Sequence, residues 1–157
     1  MNEIVKFLNA NSVQYFSTVG MDGKAKVRPF QFMIEKDGKL YFCTNNTKEV
    51  YKEIKQNPYV EICTSSPKFE WMRLSGKVVF TDNLEIKKAI IEHSPLVKSL
   101  YNNAENPIFE AFYLDEAKAT IADFSGNPPK STKINNGAST SAPKYLLFNF
   151  NLLTSSN

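Results

Sequence analysis

Apolar residues Ile4, Val5, Phe7 and Leu8 recur at helical spacing, which predicts a short helix over residues 3–10. The period then drops to two. Residues 15–20, 25–35 and 40–44 read as strands, and in the second Phe30, Phe32 and Ile34 share one face while Gln31 and Met33 take the other. Met21-Asp22-Gly23-Lys24 and Lys36-Asp37-Gly38-Lys39 separate these strands, and Asp-Gly between apolar runs is a strong hairpin signal. The three strands are therefore expected as an antiparallel meander.

Helical spacing returns at Val50, Tyr51 and Ile54, so residues 47–56 are expected as a helix, capped by Asn46 or Thr47 and ended by Asn57-Pro58. Strands follow at 59–64 and, after Ser65-Ser66-Pro67, at 70–81. In the latter Met72, Leu74, Gly76, Val78 and Phe80 share one face, with Trp71, Arg73, Ser75 and Lys77 on the other. Asp82-Asn83-Leu84-Glu85 fits a capping box with Asp82 as N-cap, opening a helix to residue 92. Ser94-Pro95 supplies a second cap, with Pro at the first helical position, for a short helix to Tyr101. Residues 108–114 and 117–124 read as two further strands with Asp115-Glu116 as the turn between them. Six or more antiparallel strands interrupted by helices suggest a closed or partly closed barrel with helices at its ends.

The 157 residues favour one domain, placed at 1–134. Residues 135–143 are rich in Asn, Ser, Thr, Gly and Ala, so 135–157 are expected as a poorly ordered tail, with Tyr145 to Leu153 able to add an edge strand. The aromatic share of 13% suits pleated sheet. A formal net charge of +3, without a Lys/Arg run, argues against a nucleic-acid partner. No apolar run approaches the ~18 residues of a membrane span, and no signal peptide is expected. Cys43 and Cys63 form no CxxC pair, so neither a zinc site nor a dithiol motif is expected. Both read as buried free thiols of a reducing compartment, and a cytoplasmic location is the expectation. His93, the one histidine, ends a helix where a cation complements the dipole. Nothing in the sequence frames a catalytic metal site or a Ser/His/Asp nucleophile.

The chemistry concentrates in Val27-Arg28-Pro29-Phe30-Gln31-Phe32 and in Tyr41-Phe42-Cys43-Thr44-Asn45-Asn46-Thr47-Lys48. An arginine sits in a strand that otherwise builds core, and a strand ends in hydroxyls, amides and a cation as it opens a helix. Free N–H groups and the positive end of the helix dipole suit a phosphate there, with Arg28 able to add a fork of donors. The alternative is that Thr47 merely caps the helix and Lys48 is solvated.

Arg28-Pro29-Phe30, Tyr41 to Lys48, Asn57-Pro58-Tyr59-Val60 and Trp71-Met72-Arg73-Leu74-Ser75-Gly76 fall in the order seen in the pyridoxamine 5′-phosphate oxidase-like FMN-binding split barrels. Over residues 3–134 the chain resembles the short members related to nitroimidazole-resistance and general stress proteins. That resemblance implies a mainly β fold with a few helices, a six- to seven-stranded antiparallel split β-barrel. It also implies a homodimer with FMN at the subunit interface. Arg28, Pro29, Phe30 and Gln31 would line the flavin, Cys43 and Thr44 would flank its ring and ribityl chain, and Thr47 and Lys48 would hold the phosphate. Trp71 would approach from the other subunit. The chain departs from true pyridoxamine 5′-phosphate oxidases in lacking their carboxy-terminal Trp and Arg/His elements and in a shorter Thr-to-Lys spacing, which argues against that substrate.

Two functions are compatible with this reading. One is an oxidoreductase passing electrons from a reduced nicotinamide to a small acceptor such as a nitroaromatic or quinone. The other is a module that binds FMN or another phosphorylated ligand without turnover. No residue is assigned as catalytic from the sequence.

Overall fold

The computed structural model describes residues 1–134; the expected tail at 135–157, with its candidate edge strand, lies outside the described residues. In chain order the elements are α1 (Asn2–Ala10), β1 (Gln14–Val19), β2 (Ala25–Phe30), β3 (Ile34–Lys36), β4 (Lys39–Asn45), α2 (Glu49–Gln56), β5 (Tyr59–Ser65), β6 (Trp71–Thr81), α3 (Leu84–His93), α4 (Pro95–Tyr101), β7 (Phe109–Ala122) and β8 (Lys130–Ile134). None of these helices is long and apolar enough to cross a membrane.

The eight strands form one antiparallel sheet in the order β2-β1-β5-β6-β7-β4-β3, with β8 branching from β7. Both Asp-Gly turns form. At the second, Asp37 (φ 53°) and Gly38 (φ 76°) make a two-residue connection between Lys36 and Lys39, as a primed hairpin turn requires. The expected meander does not form, because residues 25–35 are not one strand. Gln31 to Met33 leave the ladder, so β2 pairs β1 at one end of the sheet and β3 pairs β4 at the other. The strict alternation fails at the same place: Phe32 and Met33 are adjacent yet both buried, in two different apolar clusters. This crossing carries the chain from one edge of the sheet to the other and gives a split barrel rather than a closed one.

Strand β7 is the axis of the split. One of its edges runs the length of β6, while the other serves β4 along Phe109 to Tyr113 and β8 along Ala117 to Ile121. The turn expected at Asp115-Glu116 is instead a bulge within this single long strand. Between the pairs Ser75–Lys118 and Lys77–Asp115, Gly76 alone faces Glu116 and Ala117, and Glu116 takes φ 51°. A Cβ on Gly76 would meet the Asp115 carbonyl oxygen at 3.0 Å, so glycine is what lets the bulge close. Strand β8 had no sequence signal: of its five residues only Ile134 is buried, so no alternation marks it.

Inside the barrel, Phe16, Phe42, Ile62, Leu74, Phe112 and Leu114 form the main core, closed at the ends by α1 and α2. A second cluster lies on the other face of β4 and β7, where Tyr41, Phe109 and Ala111 meet Ile86, Ile90, Val97 and Tyr101 of α3 and α4. Burial on both faces explains why Leu40-Tyr41-Phe42 reads as a continuous apolar run. Asn83, not Asp82, caps α3, its Oδ1 accepting from the N–H groups of Glu85 and Ile86. Asp82 is exposed and faces Lys87 at 3.7 Å. Buried Gln14 pins the crossing: its Nε2 donates to the carbonyls of Leu8 and Asn11, and its Oε1 accepts from the Phe32 N–H.

Candidate functional site

The crossing at Gln31 to Met33 leaves a cavity of about 320 Å³ between β2, β4 and the start of α2. Pro29, Phe30, Gln31 and Met33 form one wall, and Cys43 and Lys48 another. Helix α4 supplies a third through Leu96, Val97, Leu100 and Tyr101, and Ser12 and Val13 complete the rim. Of the twelve lining residues Lys48 alone carries a charge.

The helix start beside Lys48 differs from the expected one. Neither Asn46 nor Thr47 caps α2; Lys48 occupies the cap position and its side chain makes no capping bond to the first-turn N–H groups. The reason is local. Asn45 Oδ1 takes both the N–H and the hydroxyl of Thr47, at 2.7 and 2.6 Å, and Asn46 Nδ2 turns to the Pro107 carbonyl and Glu110. A cation and an uncapped helix N-terminus thus stand together beside an apolar cleft, an arrangement that suits an anion carried by a largely apolar body.

Of the nine residues read from the sequence, the structure brings Pro29, Phe30, Gln31, Cys43 and Lys48 to this cavity. Arg28 points into the barrel and pairs with Glu53 at 2.7 Å, so its guanidinium is committed there and not displayed in the cavity. Thr44 is on the barrel face of β4, opposite Cys43, and its buried hydroxyl has no partner among the described residues. Thr47 lies just before the cavity, exposed and bound to Asn45. Trp71 opens β6 on the outer face of the sheet, half-buried against Phe124, with ring centroids 5.1 Å apart. The α4 wall went unread. Its signal was a short helix with apolar residues on two sides: Val97 and Tyr101 face the core, whereas Leu96 and Leu100 remain 63% and 60% exposed.

Of the two cysteines, both expected to be buried, Cys63 is exposed on the outer sheet face and Cys43 is half-buried in the cavity wall. Burial pushes the Cys43 thiol up to about 12, against the opposing pull of Lys48. It is therefore a neutral group at physiological pH, not a thiolate nucleophile. At about pH 8, iodoacetamide should label Cys63 well before Cys43, read by mass spectrometry of peptides. The same shift has a sign in stability. The unfolded thiol ionises near its ordinary value of 9.0 and the folded one near 12, so this stabilisation is intact below pH 9 and lost between about 9 and 12. Cys43→Ala should make the alkaline fall in melting temperature shallower.

The outer face of β2-β1-β5 is largely apolar around the Glu61–Arg73 ion pair. Val27, Tyr15, Val19 and Tyr59 are exposed there, and Tyr15 sits directly between Pro29 and Cys63 in the ladder. Pro29 and Val13 also line the cavity, so this face runs continuously into its rim.

Comparisons with known proteins agree with this architecture. A solved structure of a NimC/NimA family protein from Clostridium acetobutylicum shares 35% identity with the chain, covering 84% of it and 92% of that protein, with a TM-score of 0.76. General stress protein 26 from Bacillus anthracis has the same fold at 16% identity (TM-score 0.67; 84% of this chain, 96% of that one). So does a pyridoxamine 5′-phosphate oxidase-related, FMN-binding protein from Nostoc punctiforme at 18% identity (TM-score 0.65; 85% and 96%). No curated protein sequence matches the chain. The family model described as pyridoxamine 5′-phosphate oxidase matches residues 1–124, which span β1 to β7 and every residue of the cavity. The chain belongs to the pyridoxamine 5′-phosphate oxidase family.

Proposed function

We propose that this protein is a cytoplasmic FMN-binding flavoprotein, working as a homodimer, that passes electrons from a reduced nicotinamide to a small acceptor such as a nitroaromatic or quinone. The observation that carries the reading is the cavity itself: apolar walls, and a single cation placed at an uncapped helix start. FMN matches both ends, a flat ring system and a phosphate. Lys48 and the first turn of α2 take the phosphate, with Thr47 beside them. Pro29, Phe30, Gln31 and Cys43 line the ring, and Thr44, with its buried hydroxyl on the barrel face, can reach the ribityl side only through its backbone. When bound, FMN supplies hydride and single-electron chemistry, and the protein's part is to hold, orient and shield it.

The apolar outer face supports the dimer. Exposed Val27, Tyr15 and Tyr59 have a reason to be apolar if a second copy covers them, and that copy then also covers the cavity rim at Pro29 and Val13. Trp71, at the start of β6 on the same outer face, is then the candidate to approach the partner's flavin.

The test is the visible spectrum of the purified protein before and after adding FMN, with its mass by light scattering. A bound flavin and a dimer are expected; a chain that stays colourless with excess FMN rules the reading out. A second reading, binding without turnover, is favoured by one feature: among the described residues no carboxylate or imidazole lines the cavity, and the Cys43 thiol is held neutral. Steady-state oxidation of a reduced nicotinamide with nitroaromatic and quinone acceptors separates the two.

A further inference from the structure

Glu53 is a carboxylate with only 3% exposure, in the second turn of α2 between core residues Val50 and Ile54. Its Oε2 accepts from Arg28 Nη2 at 2.7 Å and from the Thr18 hydroxyl at 2.6 Å, and that hydroxyl in turn accepts from Arg28 Nη1. The three side chains form a closed triangle inside the barrel. A buried ion pair adds little net stability over apolar packing of the same volume, because desolvation offsets the attraction. What it does add is direction, since removing either charge strands the other.

The triangle lies outside the cavity and ties together β2 and α2, the elements that carry two of its walls. Arg28 immediately precedes Pro29 and Phe30 on β2, and Glu53 follows Lys48 by little more than a helical turn. We propose that Arg28 and Glu53, with Thr18, are positioning residues that lock the start of α2 and Lys48 at a set distance from the β2 wall, so that Arg28 acts on the ligand's phosphate through Glu53 and not by touching it. This rests on the reading of the cavity as a flavin site. Direct contact predicts the opposite sign for one variant: without Glu53 a freed guanidinium would bind phosphate more tightly.

The experiment uses the full chain and measures dissociation constants for FMN and for riboflavin, which lacks the phosphate. Glu53→Gln and Arg28→Gln should each weaken FMN about tenfold or more while changing riboflavin by less than about threefold. The double variant should be no weaker than the poorer single, because the two act as a unit. Arg28→Lys, which keeps a charge opposite Glu53, should recover part of the loss. Thr18→Val, a milder cut in the same triangle, should show a smaller loss with the same selectivity for FMN, and it carries the test if Glu53→Gln does not fold. Unchanged or tighter FMN binding by Glu53→Gln or, failing that variant, by Thr18→Val overturns the proposal in favour of direct contact. Equal losses for FMN and riboflavin overturn it in favour of a purely structural role. A wild-type chain that binds no FMN overturns the flavin reading itself and the proposal with it.

Discussion

Phe112→Ala should lower the stability of the fold by about 4 kcal/mol, the upper range for deleting a fully buried aromatic ring. Phe112 has no exposed surface and sits on β7 directly between Phe42 of β4 and Phe80 of β6. Its ring lies 5.7 Å from Phe42, 5.8 Å from Phe80, 5.9 Å from Phe16 and 6.1 Å from Phe30. Four aromatic contacts are lost together, each adding about 0.5–1.5 kcal/mol to the burial energy, though not additively. The surrounding rings are pinned by strands on three sides, so the cavity left behind does not collapse. In thermal unfolding followed by circular dichroism, the midpoint should drop by about 10 °C. Phe30 also lines the cavity and stacks on Phe16 at 4.5 Å, so the variant should loosen the flavin as well. A loss below about 1 kcal/mol would show that this five-ring cluster is not the centre of the core.

Lys48→Glu should weaken FMN about a hundredfold, roughly 3 kcal/mol. Two effects add. A charge-assisted contact to the phosphate is removed, worth about 1.5–3 kcal/mol, and a like charge takes its place beside the uncapped turn of α2. Compensation from elsewhere in the cavity is not available, since Lys48 is its one charged lining residue. Riboflavin should bind nearly as well to the variant as to the wild type. Raising the ionic strength should narrow the gap between the two proteins, because the site is open enough for screening. Equal affinity of wild type and variant for FMN would remove Lys48 from the phosphate site and leave the helix start alone to account for anion binding.

The elements with a strong local signal were legible. Both Asp-Gly turns, the Ser94-Pro95 helix start and the two faces of residues 71–81 follow from steric and periodic rules that act within a few residues. Errors fell where a competing partner, near or far in the chain, decided the outcome. Thr47 is a sound N-cap by type, but Asn45 outcompetes the helix for it. Asp115-Glu116 is a sound turn by type, but β6 on one side holds the chain straight and converts the extra residue into a bulge against Gly76. The Arg28–Glu53 pair joins residues twenty-five positions apart, and no local pattern announces it.

Backbone preference and side-chain period over short stretches suffice for the strand-rich class, the two Asp-Gly turns and the Ser94-Pro95 helix start, and they gather residues suited to an anion around Lys48. Long-range packing, by contrast, breaks residues 25–35 so that they cross between the two ends of the sheet, gives β7 three neighbours and makes α4 a wall of the cavity. Those outcomes follow from burying Phe32 and Met33 in separate cores at once, and the free energy of that burial lies in contacts between segments far apart in the chain.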